Sequence, residues 1–244
     1  MPLTFAGRML RSTAVRLRVL TYNIQFGRGI DRRIDIERIA DVVASFDPDI
    51  LALQEVDVNH ERSGNIDQAA TIAKKLGLEL AFGATIDRGH QRFGNATLTR
   101  LPIREIRHVA LPRYQHPRAT PRAALVTRLS WNGFELSMIN AHLSVLFRER
   151  PAQAAALARE LDGSHAVVAG DWNCTPWSPA FRTIRRQLHS HASHRSFPSQ
   201  LPIVPIDHIG VRGSLRIVRS GTWRGPHPTA SDHLPVFAEV EQSA

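Results

Sequence analysis

The apolar positions of this sequence follow two different spacings, and each spacing predicts a different element. Residues 17–22 form a run rich in β-forming side chains, and residues 50–53 are continuously apolar, as in a strand covered on both faces. Ile36, Ile39 and Val43 recur at helical spacing and predict a helix that begins near residue 34 and ends before Pro48. The pattern therefore begins with strand, helix and strand.

The rest of the chain continues this alternation. Helices are predicted over residues 67–76, 150–161 and 181–188. Strands are predicted over residues 78–82, 95–99, 166–169 and 236–240, and around residues 209 and 216–218. Asn132 and Gly133 suit a tight turn and predict an antiparallel hairpin between residues 123–129 and 135–140. Buried strands beside hairpins indicate a mixed sheet, or two sheets, with helices outside.

The two ends of the chain differ in pattern. Residues 1–14 show no clear periodicity and are predicted to form a flexible basic arm, whereas residues 15–244 are interpreted as a single domain. No apolar run suited to a secretory signal precedes Arg16, and none approaches the ~18 residues of a membrane span. Cys174 is the only cysteine, which excludes an intrachain disulfide. We therefore expect a cytoplasmic monomer without a transmembrane segment.

Arginine supplies nearly all of the positive charge. The formal net charge is +9, and Lys74 and Lys75 are the only lysines. This charge favours an anionic partner, although an arginine-rich surface without any function is an equally open interpretation.

Short side chains with oxygen donors lie at the ends of the predicted strands or in the turns beside them. They are Asn23, Glu55, Asp171, Asn173, Asp207 and Asp232. Carboxylates that converge in an apolar site need a counter-charge, and oxygen donors suit Mg²⁺ or Mn²⁺. Taken singly, each is better explained as a turn or capping residue. Only their convergence would indicate a metal site.

A more specific signal comes from eight short segments that follow one another along the chain. They are TYNIQFG (21–27), LQEVD (53–57), GNATLTRLPI (94–103), PRAAL (121–125), NAHLS (140–144), VVAGDWN (167–173), IDHIGV (206–211) and SDHLPVFAEV (231–240). Any one of them is weak, but the ordered set resembles the endonuclease/exonuclease/phosphatase superfamily. The resemblance covers roughly residues 17–240.

This resemblance implies an α/β fold, a four-layered α/β sandwich in which two facing mixed β-sheets are flanked by helices. The implied activity is divalent-metal-dependent hydrolysis of phosphate esters by in-line attack of water, at one end of the sheets. Glu55 is implied as the main ligand of Mg²⁺, with Mn²⁺ as an alternative ion. Asn23 and Asp232 complete the implied metal side.

The resemblance also implies the catalytic residues. Asp171 would orient or deprotonate the attacking water, and Asn173 would donate a hydrogen bond to the water or the phosphate. Asp207 would hold His233 charged so that it binds phosphate. His142 is a candidate for phosphate binding or leaving-group protonation, and a locally bonded structural histidine is the alternative.

Asn95 and Arg122 are implied to lie on the substrate side, since arginine can grip phosphate with two donors. A surface salt bridge is the alternative for Arg122. Gln25 departs from the family pattern, because some nuclease branches carry an aspartate there, and a second strong metal ligand from that strand is therefore in doubt. His208 is interpreted as a neutral structural residue.

These residues leave three functional hypotheses. The net charge favours a phosphodiesterase or endonuclease that acts on DNA or RNA. The alternative is a phosphodiesterase or phosphatase for a phospholipid headgroup or a small phosphorylated metabolite, with residues 201–205 as an apolar border for acyl chains. A binding module without activity ranks last, because Glu55, Asp171 and His233 are all present.

Overall fold

The computed structural model describes residues 16–114, 119–162 and 165–243. The arm predicted over residues 1–14 lies outside these ranges. Twelve strands and four helices occur in the described part of the chain. In chain order they are β1 (Arg16–Asn23), α1 (Ile36–Phe46), β2 (Ile50–Val58), α2 (Gln68–Leu76), β3 (Glu79–Arg88), β4 (Gln91–Thr99), β5 (Ile103–Ala110), β6 (Ala123–Trp131), β7 (Phe134–Ala141), α3 (Arg150–Arg159), β8 (Ala166–Asp171), α4 (Pro179–Arg185), β9 (Ser190–Ser193), β10 (Asp207–Arg212), β11 (Leu215–Thr222) and β12 (Val236–Gln242).

The strands form two six-stranded sheets. The first has the order β11-β12-β1-β2-β4-β3, and only its β1 and β2 pair in parallel. The second has the order β5-β6-β7-β8-β10-β9, and only its β7 and β8 pair in parallel. Both sheets are therefore mixed.

Alternate side chains of the central strands contribute to two different cores. In β2, Ile50 packs between the two sheets, whereas Leu51 packs beneath α1 and α2. In β8, Val167 faces the other sheet and Val168 packs against α3 and α4. This alternation explains the continuously apolar strands, because both of their faces are buried. The four-layered α/β sandwich is confirmed.

Side-chain caps determine where helices begin. Asp35 accepts hydrogen bonds from the N–H groups of Glu37 and Arg38, so α1 begins at Ile36 and not near residue 34. Asp67 caps α2 in the same way. No helix in the described ranges is long and apolar enough to cross a membrane.

Several strands differ from the prediction. β2 continues to Val58 past an irregularity in its pairing with β4, so Glu55 lies inside the strand and not at its end. β4 begins at Gln91, which places Asn95 in mid-strand. The sequence pattern does not predict β5, which is largely exposed, or β9, which has four residues. Both are edge strands and lack the buried alternation on which strand prediction depends.

Candidate active site

The polar residues predicted at strand ends meet at one edge of the two sheets. Asn23 ends β1 in the first sheet, and Asp171 ends β8 in the second. Asp207 begins β10 and pairs directly with Asp171 across the antiparallel ladder. His142 follows β7, the parallel neighbour of β8. Side chains far apart in the sequence thus become neighbours.

Asp171 is the most connected of these residues. Its Oδ2 accepts a hydrogen bond from the amide of Asn23 at 3.1 Å. The Nε2 atoms of His142 and His233 lie 3.4 Å and 3.8 Å from the same oxygen. Its Oδ1 accepts the backbone N–H of Asn173 at 2.9 Å. Burial raises the pKa of Asp171 to about 7, so this carboxyl can gain or lose a proton near neutral pH.

His233 and Asp207 form a buried ion pair. Nδ1 of His233 donates to Oδ2 of Asp207 at 2.8 Å. Burial alone lowers the pKa of His233, but the charge of Asp207 and this hydrogen bond outweigh it and raise the pKa to about 10. The hydroxyl of Ser196 donates to the same Asp207 oxygen at 2.5 Å. His233 is therefore a cation at neutral pH.

His142 has the opposite protonation state. Burial lowers its pKa well below the usual value, so the imidazole is neutral. Nη1 of Arg122 lies 2.9 Å from Nδ1 of His142. A guanidinium can only donate, so Nδ1 accepts from Arg122; Nε2 lies 3.4 Å from Oδ2 of Asp171 and 3.1 Å from the amide nitrogen of Asn173. Nε of Arg122 is buried and has no hydrogen-bond partner among the described residues.

Glu55 and Asp232 lie on the other side of Asn23. The amide of Asn23 is 3.4 Å from Oε1 of Glu55. The hydroxyl of Ser231 donates to the backbone carbonyl of Asn23 at 2.8 Å, and the next residue is Asp232. Asp232 accepts a hydrogen bond from the side chain of Gln25 at 2.9 Å. Gln25, the departure from the family pattern, thus orients a carboxylate.

The two remaining asparagines have different surroundings. Nδ2 of Asn173 donates to the carbonyl of Leu143 at 3.0 Å and lies 3.4 Å from Oδ2 of Asp171. Asn95 is buried in β4 beside the irregular part of β2, and its amide donates to the carbonyl of Ala123 at 3.0 Å. Asn173 is therefore part of the cluster around Asp171. Asn95 instead links β4 to the start of β6, directly after Arg122.

The donor atoms at this edge fit a hard divalent cation. Four carboxyl groups lie here, those of Glu55, Asp171, Asp207 and Asp232. Among the described residues, only the imidazolium of His233 forms an ion pair with any of these four groups. Asp171, Asp207 and His233 also bring possible ligand atoms within 4.8 Å of one another. A protonated imidazole cannot bind a metal, so the oxygens of Glu55, Asn23 and Asp232 suit a cation better.

Several residues of this site are absent from the sequence predictions. Ser196 bonds Asp207 from a loop without periodicity, and no local signal identifies it. Asn140, two residues before His142, is a buried polar side chain inside an apolar strand, and its position in NAHLS could have identified it. The sequence marks Gln25 only as a departure from the family pattern, although its side chain donates a hydrogen bond to Asp232.

His208 lies beside the cluster without joining it. Its Nδ1 lies 2.8 Å from the hydroxyl of Ser193, and its Nε2 lies 2.8 Å from the carbonyl oxygen of Cys174. Burial lowers the pKa of His208 to about 4, so the ring is neutral. These bonds agree with the structural role expected for it.

The sequence of this chain is similar to those of known proteins. The sequence profile of the endonuclease/exonuclease/phosphatase family matches residues 20–233. The chain is 30% identical to YbhP of Escherichia coli (strain K12), an uncharacterised protein, over 91% of this chain and 95% of that one.

Two solved structures share the fold. The endonuclease/exonuclease/phosphatase from Beutenbergia cavernae aligns over 94% of this chain and 72% of its own, with 21% identity and a TM-score of 0.75. A mannosyl-6-phosphatase from Bacteroides thetaiotaomicron aligns over 92% and 99%, with 20% identity and a TM-score of 0.71. The profile match, the fold and the geometry of the strand edge agree, and this chain belongs to the endonuclease/exonuclease/phosphatase family.

Proposed function

We propose that the protein is a divalent-cation-dependent phosphodiesterase that cleaves DNA or RNA by in-line attack of water on phosphorus. Members of its family are hydrolases of phosphate esters. One observation carries this function, the buried group of Asp171, Asp207 and His233. A carboxyl group with a pKa of about 7 lies within 3.8 Å of an imidazolium, so a base and an anion-binding cation share one site.

In this mechanism Asp171 orients the attacking water and accepts its proton. A base with a pKa near 7 suits this task at neutral pH. The amide of Asn173, beside the same carboxyl group, donates a hydrogen bond to the water or to a phosphate oxygen. His233, held protonated by Asp207, binds a phosphate oxygen and stabilises the negative charge that develops on it.

Arg122 and His142 contact the phosphate from another direction. Nε2 of the neutral His142 would hold the leaving oxygen by a hydrogen bond, because Arg122 occupies Nδ1, and that oxygen takes its proton from solvent water. Arg122 lines the cleft beside Glu55, where its guanidinium would bind a phosphate oxygen. Asn95 supports this side by fixing the backbone next to Arg122.

Glu55, Asn23 and Asp232 would hold Mg²⁺, or Mn²⁺ in its place, since both ions prefer oxygen ligands. When bound, the cation neutralises charge on the phosphate and on the leaving oxygen. Asn23 connects the two halves of the site, because its amide contacts both Glu55 and Asp171.

Two arginine-lined clefts beside the site support a polyanionic substrate. A cleft of about 380 Å³ lies against Asp232 and is lined by Arg28 and Arg32. Another, of about 320 Å³, lies against Glu55. Its arginines are Arg62, Arg88, Arg92 and Arg122. A nucleic acid carries one phosphate per nucleotide, so phosphates on either side of the scissile one would find cations in these clefts.

A second candidate substrate is a phospholipid headgroup or a small phosphorylated metabolite. Leu201 and Ile203 are exposed on the loop before Asp207, which favours the lipid. A structural neighbour with the same fold is a mannosyl-6-phosphatase, which supports the small metabolite.

The test is hydrolysis of bis-p-nitrophenyl phosphate, plasmid DNA, single-stranded RNA, mannose 6-phosphate and a phospholipid panel, each with Mg²⁺, Mn²⁺ or EDTA. Glu55→Ala and His233→Ala should each reduce metal-dependent cleavage by at least about a hundredfold. Glu61→Ala and His189→Ala are matched controls, because both side chains are exposed outside the site.

The results separate the candidates. Cleavage of DNA or RNA that both site variants lose would support the nuclease, and cleavage of lipid or sugar phosphate alone would favour the second candidate. Activity that persists in EDTA, or in both site variants, would contradict the mechanism.

A further inference from the structure

Three loops beside the candidate active site present exposed apolar side chains. Val145 and Phe147 lie between β7 and α3, Trp177 lies between β8 and α4, and Leu201 and Ile203 lie between β9 and β10. These five side chains, which we call the apolar rim, are each between 57% and 72% exposed. The loops adjoin one another through hydrogen bonds of Asn173 and Trp172, and exposed apolar side chains on adjoining loops indicate an interaction site.

Each of these loops is attached to a residue of the site. The first is bonded to Asp171 through the N–H of Leu143 at 3.0 Å. The second contains Asn173. In the third, the ring of Phe197 lies 4.9 Å from the ring of His233. The apolar rim therefore borders the same strand edge as the candidate active site.

The backbone near the rim is paired within the loops. The N–H of Leu201 donates to the carbonyl of Pro198 at 3.1 Å, and the N–H of Ile203 donates to that of Phe197 at 3.0 Å. The turn that carries Trp177 is closed by a similar bond of 2.9 Å. When a segment moves from water to the boundary of a lipid layer, its backbone groups lose few hydrogen bonds if they are already paired with one another, so the cost in free energy is small.

The charges of these loops suit an anionic surface. Residues 142–150, 172–178 and 195–206 contain Arg148, Arg150 and Arg195 and a single acidic residue, Glu149, which is buried. The guanidinium of Arg148 lies 5.6 Å from the ring centre of Phe147. Arginine beside exposed aromatic and aliphatic side chains is the combination that binds anionic lipid headgroups.

We propose that the apolar rim, beside the strand edge that carries the candidate active site, inserts into the interfacial layer of an anionic phospholipid bilayer. Stacking on nucleobases would explain Phe147 and Trp177 alone, because Val145, Leu201 and Ile203 have no ring. Burial in lipid stabilises all five. Docking requires no catalysis, so it is tested separately from the proposed hydrolysis.

The test is co-sedimentation of the full chain, in EDTA, with vesicles of phosphatidylglycerol and phosphatidylcholine in equal parts and with vesicles of phosphatidylcholine alone. We expect binding to the anionic vesicles and a blue shift of tryptophan fluorescence that is absent in Trp177→Ser. Phe147→Ser, Trp177→Ser and Leu201→Ser should each weaken binding about tenfold. Ile106→Ser is the matched control, since Ile106 is 49% exposed on the edge strand β5.

Thermal unfolding of every variant establishes that the fold is retained. Equal vesicle binding by the wild type and the three rim variants would overturn the inference, as would binding lost equally in Ile106→Ser. A fluorescence change with single-stranded DNA but not with vesicles would assign the rim to nucleobases instead. Loss of self-association in the rim variants, without any vesicle binding, would assign it to a second copy of the chain.

Discussion

At the scale of single residues, Glu55 combines a candidate metal ligand with an unfavourable backbone conformation. Its φ of 57° lies in the left-handed region, which costs an L-amino acid about 1 kcal/mol or more. The conformation arises because the pairing of β2 with β4 shifts between Leu53 and Val56. Strain retained at one carboxylate of a polar site indicates that its direction serves function.

Glycine relieves this strain, so Glu55→Gly should be more stable to unfolding than Glu55→Ala by about 1 kcal/mol. Both variants lose the carboxylate and should be equally inactive. Urea denaturation of the two proteins measures the difference. In an ordinary strand alanine is the better residue, and an alanine variant of equal or greater stability would show that the bulge relaxes without cost.

His208 should make stability depend on pH. Its folded pKa of about 4 lies below the value of about 6.5 in the unfolded chain, so the unfolded state binds the proton first as pH falls. The neutral ring makes its full contribution to the free energy of unfolding above pH ~6.5. This contribution falls by roughly 3 kcal/mol as the pH drops to ~4.

The His208→Gln variant has no titratable group at this position. The effects of all other titratable groups on the free energy of unfolding cancel when the variant is compared with the wild type. We expect the wild type to exceed the variant in unfolding free energy most at pH ~8, with the difference shrinking towards pH ~4. The measurement is urea denaturation of both proteins across this range. A difference that stays constant with pH would mean that the folded ring accepts a proton freely.

The sequence identifies residues of the candidate site where each of them stands in a short local motif. Asp207 and His233 each stand in a short distinctive segment, and the structure joins them at 2.8 Å. The conformation of Glu55 was not predictable, because a bulge is a property of the pairing with β4 and leaves no mark on the alternation of β2 itself. Ser196 depends on a loop path that the sequence does not specify.

At the scale of elements, polar side chains join the two sheets inside the core. The amide of Asn140 in β7 donates to the carbonyls of Leu53 and Ala96 in the other sheet, at 3.0 Å and 2.8 Å. Its oxygen accepts from Gln54 at 2.8 Å. All of these groups are buried. Because Gln54 immediately precedes Glu55, these bonds also fix the two halves of the candidate site relative to each other.

Asn140→Ala should lower the free energy of unfolding by roughly 2–4 kcal/mol, since it leaves buried polar groups without a partner. Asn132→Gly is the control, because Asn132 is exposed in the β6–β7 turn with a φ of 49° that glycine adopts freely. Denaturant titration of both variants provides the comparison. Equal stability of the two would show that the inter-sheet bonds contribute nothing net.

The sequence pattern predicts the buried strands and also the edge strands β3 and β11, but it misses the edge strands β5 and β9. β2 and β8 are recognisable because both faces are covered and every early position is apolar. β5 shows only two partly buried positions, so its sequence resembles a surface loop until β6 is known to pair with it. An edge strand that is as exposed as β5 is determined by the strand it pairs with and not by its own pattern.

At the scale of the whole molecule, the candidate site depends on both sheets at once. Asn23 and Glu55 come from the first sheet, and Asp171 and Asp207 come from the second. Neither sheet alone has a complete set. The core between the sheets, which includes Val167, holds the two sets of side chains together.

Because the sheets share that core, we expect residues 15–244 to unfold as one domain. Differential scanning calorimetry should show a single transition whose calorimetric and van't Hoff enthalpies agree. Two separable transitions would contradict the single-domain interpretation.

The position of β1 between β2 and β12 has a consequence for biosynthesis. Arg16 pairs with Glu241, and the two are 225 residues apart. A ribosome therefore releases β1 long before its second neighbour has been made, and the open edge of that strand must wait through most of translation. Unpaired edges recruit other chains, so the nascent protein depends on protection from aggregation until residues 236–242 emerge. A chain truncated before residue 236 would lack β12. A chain truncated before residue 232 would also lack Asp232 and His233, two residues of the candidate site.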